Sequence, residues 1–326
     1  MQNSVVNVLS AVIAVVFLCG AADRYHFPSH DWGYKKHPNW SLLPHNECGF
    51  TEINRKHKII GGAEAYIGQF PWMVGLLDPN EPIKTAQIFC GGSLINDRYV
   101  VSAAHCSLSE RYGLVKYVVL GEHYQNTVED CDDFRCSVPA ITMRVEENII
   151  HPAYRTVGHP KHAIALNDIS LLRLRDRVAN YNEFIRPICL PTFTSLQGES
   201  LDGCDLETSG WGAMGPYKAS PSSDVLRWVH VLISDEECST WNPYMLTQIC
   251  AKADEGADSC PGDSGGPLMA TVLSTTRRSY VTVLVGVTSY GSSKDEYDSS
   301  KTCGSHIGVY TKVTQYVDWI LDTIRK

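Results

Sequence analysis

Three side chains have the types that attack on a carbonyl group requires, and they follow one another in the order His105, Asp168 and Ser264. Ser264 lies in a glycine-rich stretch, 258–267, with an acid before it and two glycines after it. Glycines allow backbone angles with positive φ, so such a turn can aim a hydroxyl and backbone N–H groups at one point. A histidine can act as the base, and a carboxylate can orient its ring. These residues predict nucleophilic catalysis by a serine.

Each of the three residues also has an ordinary structural interpretation. The turn around Ser264 matches a polar surface turn. A histidine beside a cysteine, as at His105, is often structural, and Asp168 stands where an aspartate could cap a strand. Catalysis is favoured because all three occur together, each in the sequence context that it needs.

The elements that must hold these residues are short strands. From Phe70 onward, apolar or alternating runs recur between Gly, Pro, Asn and Asp, and valines fill every second position from Val281 to Val287. This pattern predicts an all-β sandwich or barrel. Apolar residues at helical spacing near the end predict a packed helix over Thr314–Ile324. The clearest runs are Met73–Leu77, Tyr99–Ser102, Lys116–Leu120, Ile169–Leu174 and Leu226–Ile233.

Composition narrows the class of protein. The 326 residues, 44% of them hydrophobic, suffice for one large core or two small ones. A net charge of −8 gives no reason to expect nucleic acid or an anionic membrane as a partner. The twelve cysteines lack metal-ligand spacing, so they predict disulfides in a secreted protein and not free thiols in the cytosol.

Residues 1–58 are expected to form a leader and a pro-segment. Residues 1–22 contain an apolar run that ends in small residues, which is typical of a secretory signal peptide. The start has no Lys or Arg, and the run just reaches spanning length, so a membrane anchor is the alternative. Residues 23–58 have prolines, histidines without ligand spacing and no period, which predicts a solvated linker. Asn39 begins a glycosylation sequon, whether used or unused.

The stretch 258–267 closely resembles the active-serine motif of the chymotrypsin-like serine proteases. The resemblance extends over about residues 48–326. It implies two six-stranded antiparallel β-barrels with the active site between them, within a peptidase domain 59–326. Pro261 and Tyr290 depart from the family, which usually has a polar residue and a tryptophan there. Further matching motifs, in the family's order, are Ile59–Gly62, Ser102–Cys106, Asn167–Leu172, Ser209–Gly212 and Gly308–Tyr310.

The resemblance implies a role for each catalytic residue. Ser264 attacks the peptide carbonyl, His105 transfers the proton, and Asp168 orients His105 and stabilises its charged form. The N–H groups of Gly262 and Ser264 form the oxyanion hole. Catalysis in this family requires no cofactor.

The resemblance also implies a pocket for a basic side chain. Asp258 would lie at the pocket floor, where a carboxylate favours Arg or Lys because an unpaired buried charge is costly. Gly291 and Gly308 match wall positions that must stay small, and Ser289 would lie beside Asp168. We therefore expect cleavage of protein substrates after Arg or Lys.

A basic cluster at residues 55–58 precedes an apolar start and resembles an accessible cut site. By resemblance, a trypsin-like activating protease, or the enzyme itself, cuts between Lys58 and Ile59, and the new amino terminus pairs with Asp263. Such a buried pair is costly to break, so it can hold the turn through Gly262 in one conformation. The alternative is an ordinary linker that leads into a strand.

The family pattern pairs most of the cysteines. Cys48–Cys189 would tether the pro-segment after cleavage, and Cys204 is left over because its usual partner position holds Ala270. The acidic loop that starts at Glu122 suits Ca²⁺, with Glu122 and Glu129 as ligands, or is simply solvated. The other implied bonds are Cys90–Cys106, Cys131–Cys136, Cys238–Cys250 and Cys260–Cys303.

Together these features favour a secreted zymogen in an extracellular immune or developmental cascade, with a serpin-type inhibitor as a further partner. The loops look most like those of arthropod clip-domain proteases, although residues 23–47 contain no cysteine and hence no clip domain. A digestive or venom trypsin is the alternative among enzymes. Outside enzymes, the alternative is an inactive homologue that acts as a binding cofactor, because Pro261 stands beside the oxyanion turn.

Overall fold

The computed structural model of the chain describes residues 33–51, 62–132, 135–158, 163–192, 205–215, 220–240, 242–253, 260, 262–274, 277, 279–292 and 307–326. Within these residues, no helix is long and apolar enough to cross a membrane. Several predicted features lie outside the described residues, namely the signal peptide 1–22, the cut site Lys58–Ile59, Asp258, Pro261, Cys204 and Cys303.

The described residues form strands and short helices in the following order. The strands are β1 Ala63–Glu64, β2 Met73–Leu77, β3 Ile88–Leu94, β4 Tyr99–Ser102, β5 Tyr117–Leu120, β6 Ile141–Ile150, β7 Arg155–Val157, β8 Ile164–Leu166, β9 Ser170–Leu174, β10 Asp205–Gly210, β11 Arg227–Ile233, β12 Gln248–Ala253, β13 Pro267–Ser274, β14 Ser279–Ser292 and β15 Ile307–Lys312. The α-helices are α1 Ala104–Ser107, α2 Asp235–Ser239 and α3 Val317–Thr323, and 3-10 turns occupy Gly33–Lys36, Trp40–Leu42 and Val313–Gln315.

Six strands close into the first barrel in the order β2-β3-β4-β9-β6-β5, and every neighbouring pair is antiparallel. Strands β2, β4 and β9 are buried along their whole length, which explains why their sequences are continuous apolar runs. The β4–β9 pairing sets Ser102 opposite Ser170. His105 follows β4 and Asp168 precedes β9, so this register brings the two residues together.

The second barrel closes in the order β11-β10-β13-β14-β15-β12, because β12 pairs back onto β11, and β1 adds outside β11. These pairs are antiparallel as well. The turn that contains Ser264 leads directly into β13. The structure therefore confirms the predicted all-β fold of two six-stranded antiparallel barrels with a C-terminal helix.

Strand β14 is buried on both faces. Thr282 and Leu284, which lie between the valines, are 1% and 0% exposed. Leu284 belongs to one hydrophobic cluster, and Val281, Val283 and Val285 belong to another, so each face of the strand packs against a core. The edge of the strand is also paired, because the backbone N–H of Thr282 donates to the Gly49 carbonyl at 2.8 Å and that of Leu284 donates to the Cys189 carbonyl at 2.9 Å.

Residues 33–51 pack against the barrels, in contrast to the predicted solvated linker. Leu43 is 7% exposed, and the side-chain amide of Asn96 donates to the Leu42 carbonyl at 3.2 Å. The guanidinium of Arg277 donates to the Cys48 carbonyl at 2.7 Å and lies 4.8 Å from the centre of the Phe50 ring. Apolar contacts, hydrogen bonds and a cation–π contact therefore hold this segment in place.

The C-terminal helix is shorter than the predicted Thr314–Ile324. Helix α3 follows a 3-10 turn, and Tyr316 separates the two because its φ of −120° is not helical. The Tyr316 hydroxyl donates to Asn167 Oδ1 at 2.9 Å. The predicted apolar stripe is the buried face, formed by Val313, Tyr316, Val317, Ile320, Leu321 and Ile324.

Candidate active site

His105 and Asp168 form two hydrogen bonds with each other. His105 Nδ1 lies 2.7 Å from Asp168 Oδ2, and the backbone N–H of His105 donates to Oδ1 at 2.9 Å. The Ser289 hydroxyl also donates to Oδ2, and the Thr311 hydroxyl donates to the Asp168 carbonyl at 2.8 Å. Asp168 is fully buried. The carboxylate therefore fixes both the position and the ring orientation of the histidine.

The environment shifts the pKa of both groups of the pair. Burial lowers the pKa of His105, but the charge of Asp168 and its hydrogen bond outweigh burial, and the net shift is upward. Burial raises the pKa of Asp168, but the charge of His105 and the hydrogen bonds from His105 and Ser289 outweigh it, and the net shift is downward. The pair therefore favours an ionised carboxylate beside an imidazole that accepts a proton readily.

Ser264 is brought to this pair by contacts across the two barrels. The backbone N–H of Gly91, in β3, donates to the Ser264 carbonyl at 2.7 Å, and Cys106 Sγ lies 3.6 Å from the same oxygen. Gly265 has φ of +79°, and a Cβ there would lie 2.3 Å from the hydroxyl oxygen of Ser102. Only glycine fits at that position. Within the described residues, the Ser264 hydroxyl makes no hydrogen bond to His105.

The serine turn contains two backbone N–H groups that are not donors within the described residues. Gly262 has φ of +103°, a conformation that favours glycine. Among the hydrogen bonds of the described chain, neither the N–H of Gly262 nor that of Ser264 is a donor. By contrast, the backbone N–H of Asp263 donates to the Cys260 carbonyl at 2.9 Å, and that of Gly265 donates to the Thr288 carbonyl at 2.8 Å. The N–H groups of Gly262 and Ser264 are the two that are predicted to form the oxyanion hole.

The carboxylate of Asp263 is enclosed by backbone. It accepts from the N–H of Gly212 and from that of Cys260, both at 2.8 Å. A Cβ at Gly210 or Gly212 would lie 2.1 or 2.4 Å from its oxygens, which explains both glycines of the 209–212 motif. Burial raises the pKa of Asp263 to about 6, because two neutral donors do not offset the loss of water.

Two predicted wall positions of the expected specificity pocket are adjacent. Gly291 in β14 pairs with Gly308 in β15. Among the described residues, the nearest neighbour of a Cβ on Gly291 would be the Ile307 carbonyl oxygen at 4.0 Å. Asp258, the expected floor, lies outside the described residues.

Four predicted disulfides are formed. They are Cys48–Cys189, Cys90–Cys106, Cys131–Cys136 and Cys238–Cys250. Cys260 is also disulfide-bonded, and its predicted partner, Cys303, lies outside the described residues.

The two predicted calcium ligands are in different environments. Glu122 is half-buried, and burial together with the nearby charge of Asp130 raises its pKa to about 7. Glu129 is exposed. Asp130 is buried and already accepts from the backbone N–H groups of His123 and Tyr124 and from a threonine hydroxyl. Among the described residues, the one set of metal-ligand types that converges is Cys90, His105 and Cys106, whose cysteines are disulfide-bonded to each other.

Asn167 is a supporting residue that the sequence analysis missed. It has φ of +53°, and it is the one residue other than glycine with positive φ in the described chain. Its Nδ2 donates to the Ala153 carbonyl at 2.9 Å, and its Oδ1 accepts from Tyr316. These bonds hold the backbone conformation of the residue directly before Asp168. The available signal was an asparagine directly before the aspartate, since asparagine tolerates this backbone region.

Comparison with known proteins decides the family. The sequence model described as Trypsin matches residues 59–320. The chain belongs to the trypsin family. This trypsin-family chain is a serine endopeptidase, and its fold and catalytic residue types agree with that class.

The relatives of this trypsin-family chain include insect proteases. It is 37% identical to Serine protease ea of Drosophila melanogaster, over 95% of this chain and 78% of that protein. It is 34% identical to Melanization protease 1 of the same species, again over 95% and 78%. Among solved structures, the Drosophila Grass clip serine protease of the Toll pathway matches with a TM-score of 0.67 and 31% identity, covering 87% of this chain and 76% of that one.

Proposed function

We propose that this protein is a secreted zymogen that is cut between Lys58 and Ile59 and then cleaves protein substrates after Arg or Lys in an extracellular proteolytic cascade. The observation that carries the proposal is the buried, fully hydrogen-bonded Asp168 carboxylate that holds His105 beside the serine turn. The proposed domains are a signal peptide 1–22, a pro-segment 23–58 and a peptidase domain 59–326.

The proposed mechanism assigns one task to each group. Ser264 Oγ attacks the peptide carbonyl while His105 Nε2 takes its proton, and Asp168 stabilises the resulting imidazolium. The tetrahedral oxyanion accepts hydrogen bonds from the N–H groups of Gly262 and Ser264, each worth about 3–4 kcal/mol in such sites. His105 then gives the proton to the leaving amine, and water repeats the sequence on the acyl-enzyme.

Specificity for Arg or Lys rests on Asp258 and on the small wall residues. A carboxylate at the end of a narrow pocket is stabilised by a basic side chain and destabilised when it is left unpaired. The distance of 4.0 Å from a Cβ on Gly291 to its nearest described neighbour supports entry of a long side chain. Ser289 is the proposed link between the pocket and the catalytic residues, because its hydroxyl donates to Asp168.

Activation is proposed to act through Asp263. Cutting at Lys58 would give Ile59 a free ammonium group that can pair with the enclosed carboxylate. The raised pKa of Asp263, about 6, supports this step, because within the described residues this carboxylate has backbone hydrogen-bond donors but no cation. The ion pair between Ile59 and Asp263 would then hold Gly262 in the conformation that presents its N–H to the oxyanion.

A cascade role is favoured over digestion. Similar proteins carry the names Spaetzle-processing enzyme and Phenoloxidase-activating factor 3, at 36% and 33% identity. The disulfide Cys48–Cys189 and the docked segment 33–51 would keep the pro-segment attached after cutting. An upstream trypsin-like protease as activator and a serpin-type inhibitor complete the proposed set of partners.

Calcium binding near Glu122 and Glu129 and glycosylation at Asn39 stay predictions. Addition of Ca²⁺ or of a chelator should change the melting temperature if the loop binds the ion. Asn39 Nδ2 donates to the Leu321 carbonyl at 2.9 Å, so an attached sugar would lie against α3. Treatment with a peptide N-glycosidase tests for it directly.

The decisive experiment sequences the amino terminus of the secreted active form and assays it on Arg, Lys, Leu and Phe substrates. The proposal expects a terminus at Ile59 and turnover of the Arg and Lys substrates alone. Ser264→Ala protein cut in the same way should be folded and inactive. An active Ser264→Ala protein, or preference for Leu or Phe, would contradict the proposal.

A further inference from the structure

Gln248 joins three parts of the chain beside the catalytic residues. It lies at the start of β12 and is 2% exposed. Its Nε2 donates to the carbonyl of Ala165, in β8, at 2.7 Å. Its Oε1 accepts from the Tyr290 hydroxyl, in β14, at 3.1 Å and from Asn242 Nδ2 at 2.6 Å. One buried amide therefore holds β8, β14 and the loop after α2 at fixed separations.

The hydrogen bonds determine which way each amide points. Asn242 is 1% exposed, and its Oδ1 accepts from the backbone N–H of Tyr244 at 2.9 Å. Its Nδ2 must then face Gln248 as a donor, so the facing atom of Gln248 is its acceptor oxygen. Gln248 Nε2 is left to donate to Ala165, and the Tyr290 hydroxyl must donate to Oε1. Burial raises the pKa of Tyr290, which keeps its hydroxyl protonated.

The two strands that Gln248 connects adjoin Asp168. Strand β8 ends two residues before it, and Ser289, the residue before Tyr290, donates to its carboxylate. Strand β13 pairs with β14 only as far as Val287. In the described chain, the edge of β14 beyond that residue therefore has no strand on that side, and an extended peptide could add there.

The surface beside this edge is apolar. The partly buried side chains of Tyr290 and Met245 each pack against a cluster that includes the Cys238–Cys250 disulfide. Leu246, on the same loop as Asn242, is 85% exposed. A tyrosine ring that is fixed in orientation offers an apolar face to a side chain of an extended peptide, whereas a mobile ring must first be ordered.

We propose that Gln248 is a positioning residue that holds Tyr290 and β8 in register and thereby sets the affinity for the apolar substrate residues that precede the Arg or Lys. The inference rests on the proposed function, because it assumes cleavage after a basic residue. Gln248 itself does not touch the substrate. It acts through the hydroxyl of Tyr290. A tryptophan at that position would have no hydroxyl to place against Gln248.

The test compares two substrates on the cut enzyme, with active sites counted by a fluorophosphonate. One is a tetrapeptide p-nitroanilide with apolar residues before Arg, and the other is benzoyl-arginine ethyl ester, which has no such residues. Gln248→Met keeps the length of the side chain and removes its hydrogen bonds. We expect kcat/KM for the tetrapeptide to fall about 10-fold, mostly through a higher KM, while kcat/KM for the ester stays within about 2-fold.

A double-mutant cycle tests whether Gln248 acts through Tyr290. Tyr290→Phe removes only the hydroxyl, and we expect it to lower the tetrapeptide-to-ester ratio of kcat/KM by a similar factor. In the Tyr290→Phe background, Gln248→Met should then have much less further effect on that ratio. Equal effects in both backgrounds would overturn the inference.

Gln125→Met is the matched control. Gln125 also joins two segments, because its Oε1 accepts from the Ile88 N–H at 3.2 Å and its Nε2 donates to the Ser223 carbonyl at 2.8 Å. It should lower the melting temperature without changing the ratio between the substrates. An unchanged ratio in Gln248→Met, or equal losses on both substrates, would overturn the inference. If Gln248→Met does not fold, an unchanged ratio in Tyr290→Phe has the same meaning.

Failure of the proposed function and failure of the Gln248 inference give different experimental results. If the unaltered enzyme hydrolyses neither Arg nor Lys substrates, the proposed function is wrong and the inference falls with it. If the unaltered enzyme hydrolyses both kinds of substrate and the ratio does not respond to Gln248, only the inference is wrong.

Discussion

Two aspartates near the serine turn show opposite electrostatics. Asp168 is paired with His105 and accepts four hydrogen bonds on its carboxyl and backbone oxygens, and its pKa is lowered. Asp263 accepts from two backbone N–H groups, and its pKa is raised to about 6. The difference is a basic side chain: Asp168 is hydrogen-bonded to His105, whereas among the described residues Asp263 is hydrogen-bonded only to backbone N–H groups. The His105–Asp168 pair is therefore assembled in the uncut chain. The turn that contains Ser264 would be completed only by the ammonium group of Ile59.

The largest effect is expected from changing the paired aspartate. Asp168→Asn keeps the shape of the side chain but removes its charge and favours the wrong tautomer of His105. In this type of site the loss of kcat is about 10,000-fold. Turnover of an arginyl ester by the cut protein measures it, with folding checked by circular dichroism. A loss below about tenfold would mean that Asp168 does not act on His105 as described.

The second effect separates the uncut and the cut protein. Asp263→Asn leaves the new ammonium of the cut chain without its carboxylate, and removal of one partner from a buried pair costs about 3–5 kcal/mol. Activity of the cut protein should fall about 100-fold to 1,000-fold. The uncut Asp263→Asn protein should be at least as stable as the original at neutral pH, because no charge is buried. Equal destabilisation of both forms by this substitution would contradict the contrast between the two aspartates.

A smaller effect tests the support of Asp168. Ser289→Ala removes one neutral hydrogen-bond donor, a change of about 1 kcal/mol or roughly 5-fold in kcat. Because His105 has a raised pKa, activity should fall as pH drops through a midpoint above 6.5. That midpoint should move up in Ser289→Ala, because the carboxylate loses a donor that offsets part of its negative charge and then stabilises the imidazolium more strongly. An unchanged profile of kcat/KM against pH would show that the Ser289 bond does not affect the pair.

The smallest effect is a pH dependence of stability. The pKa of Asp263 in the uncut folded chain, about 6, lies above the ordinary value, so the folded form binds more protons between these two values. Stability of the uncut chain therefore falls as pH rises through this window. In the cut chain the ammonium removes this loss. The melting temperature of the cut form relative to the uncut form should rise by a few degrees between about pH 4 and about pH 6. A difference in melting temperature between the two forms that does not change with pH would contradict pairing of the Ile59 ammonium with Asp263.

The sequence predicted the parts of the molecule that depend on local pattern. The strands Met73–Leu77 and Tyr99–Ser102 match the observed bounds, because continuous apolar runs leave little choice of element. Four disulfides and the assembly of His105 with Asp168 also agree.

The remaining features depend on contacts between distant residues. The edge of β14 at Thr282 is paired by Gly49, more than two hundred residues earlier in the chain. The role of Gln248 depends on Ala165, Tyr290 and Asn242, which are adjacent only in the fold. Short-range periodicity carries no information about such contacts. The C-terminal α-helix likewise begins only after Tyr316, whose hydroxyl is bonded to the distant Asn167.

The most direct test labels Ser264 with a fluorophosphonate before and after cutting at Lys58–Ile59. The account predicts weak or no labelling of the intact protein, strong labelling of the cut protein, and loss of that labelling in Asp263→Asn. Equal labelling of the intact and cut forms would contradict the claim that a new amino terminus at Asp263 completes the active site.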